Sequence, residues 1–327
     1  MSERFLISGA LGCIGAWTVK HLVEAGVPVW TYDLPGSDHR LRLVLTDEAL
    51  GQVTQIAGDI SDFAHFEQAV VENGINRIIH LAALQVPFVR ANPVLGAQVN
   101  VVGSTVVLET VKRHADQIQG LAYASSAGVY GPISDYPLGP LANDAPLNPQ
   151  NLYGVTKQAN EGMARIYWQE YGLRSIGLRP YIIYGPGRDQ GMTSTPTKAM
   201  LAAAVGLSYR ISFGGAAVYH HASDAAGIFI RAARTQLDGA PVFNLGGTNA
   251  TMAEIVAAIE SAAPEITGRI TFEPKGLDTP SAVDYSALEG ALGHTEWVDL
   301  AAGVVQTVDL LRSAARSGKV DVGRILA

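Results

Sequence analysis

Six short, almost continuously apolar runs, each separated from the next by a longer stretch, leave this 327-residue chain few folds to choose from. They are RFLISG (4–9), VPVWTYD (27–33), VTQIAG (53–58), NRIIHLAA (76–83), GLAYASS (120–126) and RSIGLRP (174–180). Helix-length segments such as 62–73, 93–114 and 151–171 lie between them. Strands apolar on both faces and alternating with helices predict a parallel sheet covered on both sides, a doubly wound α/β (Rossmann) domain. From about residue 185 the pattern loosens. YGPGRDQGMTSTPTKAM, rich in Gly, Pro, Ser and Thr, predicts an irregular loop over a site. The small elements expected at 251–261, 269–273 and 299–315 suit a smaller C-terminal substrate-binding lobe. The expected division is 1–180 for the doubly wound domain and 181–327 mainly for the lobe, with parts of 214–250 returning to the first domain.

Bulk properties narrow the partners. Hydrophobic residues make up 48% and charged ones 16%, as in a well-buried globular enzyme. A net charge of −7 with no basic run gives no general attraction for nucleic acid or anionic membranes. Cys13 is the single cysteine, so no intramolecular disulfide framework or multi-cysteine zinc site is expected, and no metal. MSERFLISGA leads almost directly into a strand, and no apolar run reads as long enough to span a bilayer. The expectation is a cytoplasmic protein.

The first strand runs into SGALGCIG, which sets Gly9, Gly12 and Gly15 at a strand-to-helix junction. Glycine permits the tight turn and lets backbone approach a pyrophosphate resting on the helix N-terminus. Asp33 closes the second run, where a carboxylate binds adenosine ribose hydroxyls and repels a 2′-phosphate. NAD is therefore favoured over NADP, against the pull of the nearby Arg40 and Arg42. Asp59, just after the third run, is placed near the adenine but equally suits a turn or a helix cap.

NLYGVTKQAN puts Tyr153 and Lys157 one helical turn apart, on one face. Bringing a phenol from a pKa of about 10 to near neutrality takes roughly 4 kcal/mol of preferential stabilisation of the phenolate. A neighbouring ammonium and the positive nicotinamide of NAD act in that direction. Such a base takes the proton of a secondary alcohol while hydride leaves the carbon. The serine pair of YASSAGVYG adds a hydroxyl for the substrate oxygen, with Ser125 assigned to structure and Ser126 to chemistry. Each feature alone has a bland reading; together, in this order and spacing, they point to redox chemistry at a carbinol.

In combination these motifs resemble the extended short-chain dehydrogenase/reductases, the NAD-dependent epimerase/dehydratase family, over essentially the whole chain. The resemblance implies that Cys13 and Ile14 of GALGCIG approach the pyrophosphate through backbone. It implies an adenine contact at Asp59 and Ile60 of GDI, and a cofactor-flanking strand end at Leu81, Ala82 and Ala83 of HLAALQ. Asn100 of VNVVGS falls on the family's cofactor-side asparagine, and Ser126, Tyr153 and Lys157 on its catalytic set. Tyr181 falls where an aromatic residue borders the nicotinamide. Lys157 would also hold the nicotinamide ribose.

Two departures bear on the substrate. Ile182 stands where nucleotide-sugar members usually carry asparagine, and Ala217 where they tend to carry an arginine for the diphosphate. The reading that follows is a smaller polyhydroxylated substrate: a free sugar, a sugar acid or a hydroxy acid. Arg90 and Arg188 are candidates to meet a carboxylate, each with a solvated-surface alternative, and Gln85 is a further substrate-side candidate. His220 and His221 are adjacent on a strand and point to opposite faces, poor spacing for a metal; His221 is the candidate for substrate hydroxyls. Apolar stripes on 93–114 (Val99, Val102, Val106) and 151–171 (Met163, Ile166, Tyr167) match helices that often pair subunits in this family, so a homodimer is expected, with intramolecular packing as the plain alternative. The leading expectation is an NAD-dependent oxidoreductase of a carbohydrate-like alcohol. The alternatives are a nucleotide-sugar 4-epimerase or dehydratase that retains NAD, and a non-catalytic dinucleotide sensor.

Overall fold

A computed structural model describes residues 2–327. The first six strands are β1 (Phe5–Ser8), β2 (Val29–Asp33), β3 (Thr54–Ala57), β4 (Arg77–His80), β5 (Gly120–Ala124) and β6 (Ile176–Arg179). Six more follow: β7 (Ile182–Tyr184), β8 (Tyr209–Ile211), β9 (Ala216–His221), β10 (Val242–Asn244), β11 (Thr248–Thr251) and β12 (Ile270–Phe272). Seven of them make one parallel sheet in the order β10-β6-β5-β4-β1-β2-β3. The doubly wound α/β class expected from the sequence is the observed one.

Side-chain alternation explains why both faces of this sheet are covered. Phe5 and Ile7 of β1 join Val19 and Phe229 in a core beneath the helices Cys13–Glu24 and Ala222–Arg234. Leu6, between them, points the other way into a core with Ile78, Phe66 and Val106. Each such side chain, fully removed from water, contributes about 1.5–3 kcal/mol. Polar stitching is sparse but complete at His80. Its Nδ1 meets Ser8 Oγ at 2.7 Å and its Nε2 meets Ser104 Oγ at 3.1 Å, tying β4 to β1 and to the helix Gly103–Arg113. Burial pulls the His80 pKa down to about 3, so the imidazole is neutral.

A second, smaller core gathers β7, β9 and the helices Thr195–Ala204, Met252–Ala262 and Leu300–Arg316 around Tyr184, Met200, Ile255 and Val308. Its three-stranded sheet runs β11-β9-β7, and β12-β8 form a separate pair. Within 214–250, β9 and β11 belong to the small sheet, whereas Ala222–Arg234 and β10 pack on the large one.

Two local expectations change. The segment after residue 185 is irregular only to about 194; helix resumes at Thr195, with Pro196 in its first turn, where its missing N–H costs nothing. Pro93–Ala97, a π turn at Gln98–Val102 and Gly103–Arg113 join into one helix of 21 residues. By length and composition that helix could cross a membrane, which a run-by-run reading overlooks. Half of its apolar window is buried, against the helices Phe63–Glu72 and Leu152–Tyr171.

Candidate active site

The glycine loop is built by close approach. Gly9 has φ 77°, and a Cβ there would lie 2.5 Å from Ala82 N. A Cβ on Gly15 would lie 2.3 Å from Gly9 O. Only glycine lets the loop fold this tightly against Leu81 and Ala82 at the end of β4. The helix that follows begins at Cys13 with Gly12 as its cap, no side-chain cap and no acid in its first turn. Its free N–H groups are thus open to an anion. At the end of β2, Asp33 Oδ2 accepts from Leu11 N at 3.3 Å. Burial pushes the Asp33 pKa up to about 7 against the pull of the Leu11 and Ala10 N–H groups. A cradle that a Cβ would fill, an uncapped helix start and a carboxylate at the next strand end fit a dinucleotide with an unphosphorylated ribose. The two arginines that could have served a 2′-phosphate are engaged elsewhere. Arg40 pairs with Asp189 and donates to Leu11 O at 2.8 Å, and Arg42 pairs with Asp38 and Asp47.

The helix Leu152–Tyr171 brings the second half. Asn151 caps it by accepting from Gly154 N at 3.0 Å. Gly154 lets this end press onto the turn after β5: a Cβ there would sit 2.1 Å from Gly128 O. Tyr153 is thereby brought beside Ser126, whose Oγ accepts from Gly128 N at 3.0 Å. Lys157 is buried and donates to Ala124 O at 2.7 Å, which ties the helix to the end of β5.

Electrostatics revise the expected tuning. Burial holds the Tyr153 phenol above its usual value; hydrogen bonding with Ser126 and the charge of Arg188 act to lower it. Lys157 Nζ stands 5.8 Å from the Tyr153 ring centre, committed to a backbone carbonyl. In the protein without a dinucleotide, Ser126 and Arg188 are thus the groups that pull the phenol down, while the Lys157 ammonium stands over its ring. Lys157 itself is pulled down to about 8 by burial, with the Glu161 carboxylate working upward.

Glu161 was missed in the sequence, although it lies one further turn along the face that carries Tyr153 and Lys157. It accepts from Ser125 Oγ and takes both ends of the Arg179 fork, Nε at 2.8 Å and Nη2 at 2.7 Å. Arg179 Nη1 donates to Tyr130 OH and to Asn143 O. Glu161 and Arg179 are 7% and 6% exposed, a buried ion pair under the serine turn. The i+4 spacing of Glu161 from Lys157 and Arg179 of RSIGLRP were the available signals.

The remaining candidates fall as follows. Asn100, on the π turn, is fully buried and stitches loop to helix. Its Oδ1 accepts from Leu84 N, and its Nδ2 donates to Leu84 O and Thr156 Oγ1. Asp59 turns its Oδ1 onto Ser61 N and Oγ, the turn role weighed for it, and Ile60 is buried against Gly103. Cys13 packs its Sγ 3.8 Å from Pro186 O, and burial pushes its pKa up to about 12, as for an inert filler. Ile14 is partly buried beside it against the core. Ala83 continues the β4 end past Leu81 and Ala82, half-buried. Tyr181 donates its N–H to His220 Nε2 at 2.9 Å, and its hydroxyl is buried without a partner. Gln85 and Arg188 both flank Gly191.

Two expectations do not survive the packing. His221 is 3% exposed between the Trp17 and Tyr184 rings, so neither ring nitrogen is open to a substrate hydroxyl. Arg90 is exposed on the helix Val86–Ala91, with no ion pair or hydrogen bond among the described residues, a solvated surface arginine. Ile182 and Ala217 are 2% and 3% exposed inside the smaller core. An isoleucine and an alanine packed in this core present neither an amide nor a cation to a diphosphate.

The sequence model of the NAD dependent epimerase/dehydratase family matches residues 5–246. An uncharacterized 37.6 kDa protein of Escherichia coli O111:H- is 33% identical over 211 residues, covering 61% of this chain but only 60% of that one, so the chain spans less than two thirds of that relative. A dTDP-glucose 4,6-dehydratase of Actinoplanes sp. is 26% identical over 325 residues, 95% of this chain and 98% of that one. The UDP-glucose 4-epimerase of Thermus thermophilus, solved in complex with NAD, superposes with TM-score 0.78 at 26% identity over 95% of this chain and 99% of that chain.

Proposed function

Because the chain belongs to the NAD dependent epimerase/dehydratase family, we propose that it is an NAD-dependent oxidoreductase acting on a secondary alcohol of a small carbohydrate-like molecule, whether sugar, sugar acid or hydroxy acid. The observation that carries this reading is the meeting of Tyr153, Ser126 and Lys157 at the end of β5, on the same sheet as the glycine cradle and Asp33.

Gly9, Gly12 and Gly15 would admit the dinucleotide, the backbone from Leu11 to Ile14 would meet its phosphates, and Asp33 its adenosine ribose. When bound, NAD supplies a hydride acceptor. Ser126 Oγ would hold the substrate oxygen and Tyr153 Oη, as phenolate, would take its proton as the carbinol C–H bond breaks, leaving a carbonyl; the Lys157 ammonium and a positive nicotinamide would favour that ionised form over the neutral phenol of the unliganded protein. Lys157, held by Ala124 O, keeps a positive charge behind the phenol at neutral pH, below its pKa of about 8. The smaller lobe, mainly 181–327, is assigned to closing over the substrate.

The test is NADH absorbance with NAD+ and a panel of sugars, sugar acids and hydroxy acids. Tyr153→Phe should lose about 10²–10⁴-fold in kcat, while calorimetric NAD+ binding persists. A Tyr153→Phe enzyme as fast as the wild type would overturn the assignment, whereas NAD+ binding with no turnover of any panel member would favour a dinucleotide sensor. A second reading, nucleotide-sugar epimerisation or dehydration with retained NAD, draws on the 26% identity to the Actinoplanes dehydratase over 95% of this chain. It is marked by conversion of UDP-glucose, UDP-galactose or dTDP-glucose with no net absorbance change.

A further inference from the structure

Arg188 is a half-buried cation with no carboxylate of its own. Its Nη2 donates to Thr193 Oγ1 at 3.1 Å, and its Nε is buried with no partner. No ion pair is made by Arg188 among the described residues. The obvious counter-charge, Asp189 next door, is already spent: Oδ1 accepts from Arg40 at 2.9 and 2.6 Å, and Oδ2 meets His39 Nε2 at 2.8 Å. Burial accordingly drives the Arg188 pKa below its usual value. A guanidinium partly withdrawn from water is costly unless something anionic completes it.

The place of this cation is defined by the loop that carries it. Trp17 Nε1 donates to Pro186 O at 3.0 Å, Arg40 links Leu11 to Asp189, and Gly191 lies against both Gln85 Oε1 and Arg188 Nη2. Loop 185–191 is thus fastened across the start of the first helix, and the charge of Arg188 is felt by both Cys13 and Tyr153. The uncapped start of the first helix would hold the dinucleotide's phosphates. Nothing so far answers Arg188.

We propose that Arg188 is the recognition group for a carboxylate on the substrate whose carbinol hydroxyl Tyr153 deprotonates. The substrate class is then a hydroxy acid or sugar acid, not a neutral sugar. This rests on the oxidoreductase reading above and narrows it. The chain's net charge of −7 repels anions in general, so an acid must be captured by a local cation of this kind. Arginine suits the role because its planar fork binds a carboxylate through two parallel N–H groups.

The experiment compares matched probes, galacturonate with galactose, glucuronate with glucose and gluconate with glucitol, in the NAD+-saturated protein. Calorimetric binding and NADH formation are both read, for wild type, Arg188→Gln and Arg188→Lys. The expected result is a wild-type preference for the acids, and an acid-to-neutral ratio that falls about 10- to 100-fold in Arg188→Gln, with partial recovery in Arg188→Lys. An unchanged ratio, or a wild type indifferent to the carboxylate, overturns the proposal. So does weaker binding of NAD+ itself in Arg188→Gln with the ratio intact, which would give the guanidinium to the cofactor's phosphates. Failure of every probe to form NADH counts against the oxidoreductase reading alone, because the calorimetric ratio still decides Arg188.

Discussion

At the scale of single residues, burial decides more here than residue type. Asp33 and His221 were both expected to contact ligands; one lies half-open beside Leu11 N, the other is sealed between two aromatic rings. Asp33 also carries a pH signature. Its pKa in the folded protein is raised from 3.8 to about 7, so its contribution to stability is fully present below the unfolded value and is lost as pH rises through about 7. Above that, the unliganded protein holds a poorly solvated carboxylate at a cost. Asp33→Asn should therefore raise the melting temperature of the unliganded protein more at pH 8 than at pH 5. The same variant should weaken NAD+ binding at pH 8 about 10- to 100-fold, the loss of charge-assisted bonds to ribose hydroxyls. Equal melting shifts at the two pH values would refute the linkage, and an unaltered dissociation constant would remove Asp33 from the cofactor site.

Among the elements, the helix Leu152–Tyr171 concentrates the chemistry on one face. Tyr153, Lys157 and Glu161 recur every four residues, and the helix is stitched to its neighbours by Lys157 to Ala124 O and Glu161 to Ser125 and Arg179. The Tyr–Lys part of this was legible, because a four-residue spacing fixes a common face whatever surrounds it. The Glu161 role was not, because nothing local states that Arg179 of β6 will lie opposite. Glu161→Gln should leave a buried guanidinium uncompensated and cost about 3–5 kcal/mol of stability, seen as a lower denaturation midpoint. It should also move Lys157 further below its pKa of about 8 and carry the alkaline limb of the kcat profile to lower pH. A lower midpoint with the profile unmoved would reduce Glu161 to a structural partner.

For the whole molecule, the question is what covers the outer side of two neighbouring helices. Val94, Val102, Leu152, Val155 and Ile166 are 79%, 47%, 53%, 46% and 37% exposed on Pro93–Arg113 and Leu152–Tyr171, which pack side by side. Apolar surface grouped in this way marks an interaction site, and a second copy of the chain is the expected occupant. Equilibrium sedimentation should give about twice the 34.5 kDa of one chain, and Val102→Lys with Val155→Lys should return it toward one. A wild-type mass of one chain at micromolar concentration would sink this expectation.

The amino-acid order alone determined the alternation of strand and helix, the glycine turn and the pairing of Tyr153 with Lys157, because each follows from backbone geometry over a few residues. It could not determine which charges lose their water and which find a partner. The Arg40–Asp189 pair is separated by 149 positions, Ala222–Arg234 and β10 return to the large sheet late in the chain, and Arg188 stands without an anion only because Asp189 was taken by distant groups. Desolvation and Coulomb energy depend on what the fold brings near, and only the tertiary structure states that.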